Sequence, residues 1–226
     1  MTPFELLYAV PAYRRQIHAG HMVQLGGLKG ALGDQLQVTW ADTCSLDWAR
    51  NILVWGALHR MPSRWLLMCD ADTFHPRTAD ILMMLDEGTR RGAAVIAAPV
   101  RCRGELGHPW NVALLTDDGE ELFPSSDLIV GRVSVVHRIG TAFMAVSMRW
   151  IVDHWLTGPW FQSEQVYRGE KEPPGWIGED YAFCDGVRRR GGLILADGRF
   201  EPAHSGAVSE SAVWARSGAA TAISQR

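Results

Sequence analysis

Four short apolar runs punctuate the first hundred residues, Glu5 to Val10, Gln35 to Trp40, Arg64 to Cys69 and Ala93 to Ala98. Their length and bounding turn residues predict buried strands. Between them, about Arg14 to Leu32, Leu46 to Arg60 and Arg77 to Arg91 carry helical spacing, the last behind Pro76 at a helix start. Strands joined by crossover helices predict an α/β fold of Rossmann-like type, with a mostly parallel central sheet flanked by helices. Beyond Pro99 the pattern is less regular. Strand-like runs cover Asn111 to Thr116, Val133 to His137 and Thr141 to Val146, and a short helix starts near Met148. Gly158 to Gly178 holds three prolines, four glycines and two tryptophans without a period, and reads as a long loop over a site, a candidate lid. Glu179 to Arg190 is helical again and Leu193 to Ala196 is a last strand. Residues 1–206 are expected to form one domain, and residues 207–226, small and polar, a mobile tail.

Composition narrows the class. With 226 residues, 47% hydrophobic and 21% charged, the chain suits one sizeable core and is too apolar for disorder. The apolar stretches Trp65 to Cys69 and Ala93 to Val100 are far below the roughly 18 residues of a membrane span. The start MTPFELLYAV lacks the basic residues and longer apolar core of a secretory signal, so a cytoplasmic location is expected. Cys44, Cys69, Cys102 and Cys184 form no C-x-x-C pair, which argues against a zinc site and a disulfide scaffold. A net charge of -3 gives no overall positive field for a polyanion. Twenty of the 22 basic residues are arginine, a bias that a GC-rich genome also produces.

The strongest local signal is R-W-L-L-M-C-D-A-D, a buried strand ending in Asp70 and Asp72. Backbone alternation sends both carboxylates to one side, where hard oxygen ligands suit a divalent cation, at the strand end where α/β proteins place ligands. The bland alternative is that Asp72 caps the next helix and Asp70 pairs with an arginine. In G-E-D-Y-A-F-C, Glu179 and Asp180 open a helix after the glycine-rich loop, either as caps or as functional acids. His204, after the last strand, is a third candidate ligand.

These motifs, in this order, resemble the GT-A nucleotide-sugar glycosyltransferases, most closely the small single-domain type of phage and bacterial genomes. The resemblance spans about residues 5 to 206. It runs from V-P-A-Y at Val10 to Tyr13 through A-R-N at Ala49 to Asn51, D-A-D, and A-P-V-R ending at Arg101. W-N at Trp110 and Asn111, I-G-T-A-F at Ile139 to Phe143, P-W-F at Pro159 to Phe161, G-E-D-Y-A-F-C and A-H-S-G around His204 complete it. It implies a GT-A fold and transfer of a sugar from a nucleoside-diphosphate donor, UDP-linked by preference, to an acceptor hydroxyl. Asp70, Asp72 and His204 would hold Mn2+ or Mg2+ against the diphosphate. Pro11, Tyr13, Arg50, Asn51, Asp70, Arg101, Gly140, Thr141 and Ala142 would contact the donor. Trp110, Trp160 and Trp176 would lie on the acceptor side, and Asp180 or Glu179 would be the general base of an inverting enzyme. Retaining relatives use no such base, so stereochemistry stays open.

Phage relatives include enzymes that glycosylate hydroxymethylated pyrimidines in DNA, which would place this chain in a host cytoplasm. Arg101, Arg103, Arg132, Arg138 and Arg188 to Arg190 are candidate phosphate contacts or a solvated face; glycan, protein and small-molecule acceptors stay open. The alternative chemistry is a nucleotidyltransferase, which carries a glycine-rich, lysine-containing loop directly after the first strand. Here P-A-Y-R-R-Q stands there, and G-G-L-K-G at Gly26 to Gly30 comes late. A passive sugar- or nucleotide-binding module has no obvious use for three metal-ligating side chains.

Overall fold

The computed structural model describes residues 4–12, 17–43, 45–101, 110–119, 121–124, 129–166 and 175–204. In chain order these form β1 (Phe4–Ala12), α1 (Gly20–Leu32), β2 (Leu36–Asp42), α2 (Leu46–His59), β3 (Ser63–Cys69), β4 (Thr73–Phe74), α3 (Thr78–Arg91) and β5 (Val95–Ala97). There follow β6 (Val112–Leu115), β7 (Glu121–Leu122), β8 (Val133–Val135), β9 (Arg138–Ile139), β10 (Phe143–Ser147) and α4 (Met148–His154). The C-terminal part holds β11 (Glu164–Val166), β12 (Gly175–Ile177), α5 (Glu179–Arg189), β13 (Ile194–Asp197) and β14 (Ala203–His204).

Seven strands make the central sheet in the order β2-β1-β3-β10-β5-β13-β8. β2, β1, β3, β5 and β13 run one way, while β10 and β8 run against their neighbours. The expected α/β fold with a mostly parallel, helix-flanked sheet is therefore present. The strands read as continuous apolar runs because both faces are covered. Leu7, Ala9, Leu66 and Met68 pack with residues of α2, α4 and α5, while Leu6, Tyr8, Trp65 and Leu67 pack with residues of α1 and α3.

Two local features differ from the sequence pattern. α1 starts at Gly20, not near Arg14, because His18 ties its N–H to the Ala71 carbonyl at 2.8 Å and turns its Nδ1 to accept the Gly20 N–H at 3.0 Å. Gly20 is required there, since a Cβ would run into the Phe74 ring. The segment after α4 is also not a single loop: β11 and β12 pair as an antiparallel ribbon on either side of residues 167–174, which lie outside the described residues. The tail from Ala207, Tyr13, Cys44, Cys102 and Arg103 lie outside them too. Among the described residues no helix is long and apolar enough to cross a membrane, and Cys69 and Cys184 are free, buried thiols.

Candidate active site

β3 ends at Cys69, and the chain turns at once: the Thr73 N–H closes on the Asp70 carbonyl at 2.8 Å. The Asp70 N–H donates to the Ala142 carbonyl at 3.0 Å, continuing the β3–β10 ladder one step beyond the strands. Beneath the turn, buried His21 of α1 sets Nε2 3.2 Å from the Asp70 carbonyl, and Tyr8 Oη lies 2.5 Å from His21 Nδ1. A carbonyl only accepts, so Nε2 carries the proton and Nδ1 accepts from the Tyr8 hydroxyl. Burial lowers the His21 pKa and so favours this neutral ring. The backbone of D-A-D is thus held from two sides, with only its side chains left to face outward.

Because the strand stops before Asp70, the alternation argument fails and the two carboxylates part. Asp70 turns to Arg50, whose Nη2 donates to Asp70 Oδ1 at 2.9 Å. The same guanidinium donates through Nη1 to Glu179 Oε1. Arg50 is 2% exposed, so one cation on α2 joins the end of β3 to the start of α5 in a setting where charges need partners. Asp180, the next residue of α5, feels the charge of Arg50 but is not one of its hydrogen-bond partners. Burial pushes its pKa up to about 6, the charge of Glu179 adds to the rise, and Arg50 and the Tyr181 N–H oppose it.

Asp72 faces the other way. The β14–β4 ladder sets His204 opposite Thr73, which brings His204 Nε2 to 3.7 Å from Asp72 Oδ1. His204 Nδ1 lies 3.3 Å from the Arg101 carbonyl. That carbonyl again only accepts, so Nδ1 holds a proton, and Nε2 is the ring atom turned toward the carboxylate. Among the described residues no three His, Cys, Asp or Glu side chains converge into a metal-holding group; the expected trio is a pair, with Asp70 on the neighbouring arginine.

Gly140, Thr141 and Ala142 lie beside Asp70 because β10 runs against β3 and begins where β3 ends. Gly140 abuts Asn111, whose side chain a Cβ would approach to 2.5 Å; Thr141 is buried. Pro11, near the end of β1, shares this edge through the parallel β1–β3 pairing. Arg101 bonds Glu201 at 2.7 Å and lies 4.6 Å above the Trp110 ring.

Several residues take a packing place instead of the one expected. Asn51 accepts the N–H groups of Trp160 and Phe161 at 2.8 and 3.1 Å and donates to the Phe161 carbonyl at 2.6 Å. It is a clamp on that segment. Trp160 and Phe161 lie in the core with Phe183 and are not free to swing as a lid. Trp110 is buried as well; of the three expected acceptor-side tryptophans only Trp176, on β12, is exposed. Of the arginines offered as phosphate contacts, Arg138 is buried and bonds Asp185 at 2.9 Å and Glu121. Arg188 pairs with Asp185 and Arg189 with Glu164, while Arg190 lies 4.1 Å above Trp155. Gly26, Gly27 and Gly30 are inside α1, so G-G-L-K-G forms no phosphate loop.

The fold is similar to the crystal structure of "A197 from STIV", at 13% identity over 88% of this chain and 85% of that one, with a TM-score of 0.59. Looser likenesses are to a 4-diphosphocytidyl-2C-methyl-D-erythritol synthase from Anaerococcus prevotii and to S. aureus TarS 1-349 in complex with UDP-GlcNAc. The first has 10% identity over 96% of both chains and a TM-score of 0.44. The second has 10% identity over 88% of this chain and 57% of that one, and a TM-score of 0.46. No family model matches the chain, and no curated protein matches it in sequence. These likenesses concern the fold.

The motif reading passed over three features. Tyr8 and His21 sit inside β1 and α1 and carry no motif. The Arg138–Asp185 pair looked like a surface charge. Trp48, Ile52 and Trp55 are exposed on α2, although its opposite face, with Ala49, Leu53 and Val54, is already in the core. Apolar residues on both faces of one helix are a signal readable from sequence.

Proposed function

We propose that the chain is a glycosyltransferase that moves a sugar from a nucleoside-diphosphate donor, UDP-linked by preference, to an acceptor hydroxyl. The observation that carries the reading is Asp180, a carboxylate with a pKa raised to about 6 beside a Glu179 already held by Arg50. A base near the working pH takes a proton efficiently while staying largely ionised. In an inverting reaction Asp180 would accept the acceptor hydroxyl's proton at its carboxylate oxygen as the oxygen bonds to the sugar and the diphosphate leaves. Arg50 would hold Glu179 in place, and Gly140 to Ala142 would let backbone lie close to the donor. Pro11 and Arg101 border the same edge, and Tyr13 follows β1 in sequence.

The donor set suits a divalent cation: Asp72 offers a hard oxygen, and His204 a ring nitrogen whose ring is oriented by the Arg101 carbonyl. Mn2+ or Mg2+ held there by Asp72 and His204 would supply charge neutralisation to the leaving diphosphate. Waters and phosphate oxygens would complete its coordination. The acceptor is a hydroxyl compound, and hydroxymethylated DNA, suggested by the resemblance to phage enzymes, stays within the proposal.

The test is a screen of UDP-sugars with Mn2+, reading UDP release and the mass of candidate acceptors that include hydroxymethylated DNA. UDP release with a mass gain of one sugar is the expected result. Pyrophosphate release from a nucleoside triphosphate and a sugar phosphate would instead establish a nucleotidyltransferase.

A further inference from the structure

On the outer side of α2 lies a cleft of about 670 Å³, lined by Asp47, Trp48, Ile52, Trp55, Trp160 and Gln162 among others. Trp48, Ile52 and Trp55 fall at i, i+4 and i+7, one face of the helix. They are 60%, 39% and 43% exposed, an unusual cost for three large apolar side chains in a row. The opposite wall, residues 158–162, is preformed, because Asn51 fastens Trp160 and Phe161 to α2 through the bonds described above. Arg60 covers one side of Trp55, 4.9 Å from the ring centroid. The cleft is outside the Arg50–Asp70–Glu179 cluster: Arg50 is buried on the inner side of the helix that carries these tryptophans outside.

We infer that this cleft binds a neutral saccharide chain of gluco-configured pyranose rings. Such rings carry their hydroxyls equatorially, which leaves rows of C–H groups on each face. Those C–H groups are weakly positive and meet the negative face of an indole. An axial hydroxyl would press a polar group onto the ring and lose its hydration. Two indoles seven residues apart on a helix lie about 10 Å apart along its axis, so they address successive parts of one chain rather than a single ring. Asp47 at the rim accepts from the Trp48 N–H at 2.8 Å, and its hydrogen bonds hold its pKa below the ordinary value. An ionised carboxylate accepts from sugar hydroxyls and repels phosphate, which disfavours nucleic acids and anionic lipids. The volume belongs to the range of small-ligand sites, about 300–1,000 Å³.

The experiment uses the full chain without donor or metal, with maltohexaose, cellohexaose and chitohexaose as probes. Binding is followed by calorimetry and by the indole N–H resonances. At least one probe is expected to bind with millimolar or tighter affinity and to shift the Trp48 and Trp55 signals. Trp48→Ala and Trp55→Ala should each weaken that binding at least tenfold, while Trp40→Ala, an exposed tryptophan of β2, should leave it unchanged. These variants alter exposed positions, and unchanged melting temperatures check that each is folded. Absence of binding by all three probes overturns the inference. So does equal binding by the Trp48→Ala protein, or preferential binding of a single-stranded oligonucleotide at the same indoles. Because no sugar transfer is measured, failure here leaves the proposed reaction untouched, and failure of that reaction leaves the cleft standing.

Discussion

His204 turns Nε2 toward Asp72 Oδ1 at 3.7 Å, with its other nitrogen committed to the Arg101 carbonyl. A carboxylate oxygen and an imidazole nitrogen at that separation can both ligate a cation set between them. Mn2+ is therefore expected to raise the melting temperature, by the equivalent of about 2.7 kcal/mol at a hundredfold excess over Kd. His204→Ala should weaken Mn2+ binding at least tenfold, and Asp72→Ala should abolish transfer with the fold intact. Full turnover in excess EDTA, with metal removal verified, would refute the cation's role.

Replacing Asp180 by Asn keeps shape and removes basicity. Sugar transfer should fall by about 10²–10⁴-fold, with donor affinity unchanged in calorimetry. For the wild type, transfer should rise with pH through about 6, where Asp180 loses its proton, and level off above. Wild-type transfer by Asp180→Asn would remove Asp180 from the chemistry. An equal loss in a product that retains configuration would reassign it to positioning.

The same group predicts a stability effect of opposite sign. A carboxyl whose pKa is raised on folding binds more protons in the native state, so stability falls as pH rises from about 4 through about 6. Asp180→Asn is thus expected to be more stable than wild type at pH 8, by about 1–2 kcal/mol after allowance for partial solvent exposure. The difference should vanish below pH 4. Urea melts at both pH values measure it, and a less stable variant at pH 8 would contradict the assigned burial cost.

Arg50→Met removes the charge that bridges Asp70 and Glu179 and leaves both carboxylates without that partner in a largely buried site. A loss of about 3–5 kcal/mol is expected, together with a further rise in the Asp180 pKa, since Arg50 lowers it. Denaturant unfolding at neutral pH provides the measurement; a loss below about 1 kcal/mol would mean the bridge is not structural.

Asn51→Ala strands the N–H groups of Trp160 and Phe161. Each unsatisfied buried group costs about 1–3 kcal/mol, so residues 158–161 should become susceptible to proteolysis while the rest of the chain stays protected. Unchanged digestion would show that the ring packing of Phe161 on Phe183 holds the segment without the clamp.

The sheet was readable because β1, β3 and β5 are buried on both faces and so appear as unbroken apolar runs. Glu179 and Asp180 were readable because a helix start after a glycine-rich stretch is a local feature. The partnerships were not. Arg50 meets Asp70 and Glu179 only through the packing of α2 between two distant elements, and His204 reaches Asp72 only through a two-residue ladder too short to leave a period. Trp160 looked like a loop aromatic because nothing in its neighbourhood reports that Asn51, far earlier in the chain, supplies its hydrogen bonds. The divergence of Asp70 and Asp72 was hidden by a strand that ends one residue too early for alternation to apply.

β10 also has a consequence for how the chain is made. It is the strand that joins the β2-β1-β3 half of the sheet to the β5-β13-β8 half, and its Phe143 pairs with Cys69 of a strand synthesised long before. Until residue 147 has left the ribosome, the bonding edge of β3, with its row of large apolar side chains, has no neighbour. An open edge of that kind is where chains misassociate. The helices α2 and α3 are finished earlier and can cover the faces of this half-sheet, but not its edge. The loop that borders the candidate donor site is therefore the leading end of the strand that covers this edge, so that border of the site forms only when β10 docks on β3, ahead of α5, β13 and His204, which follow in the chain.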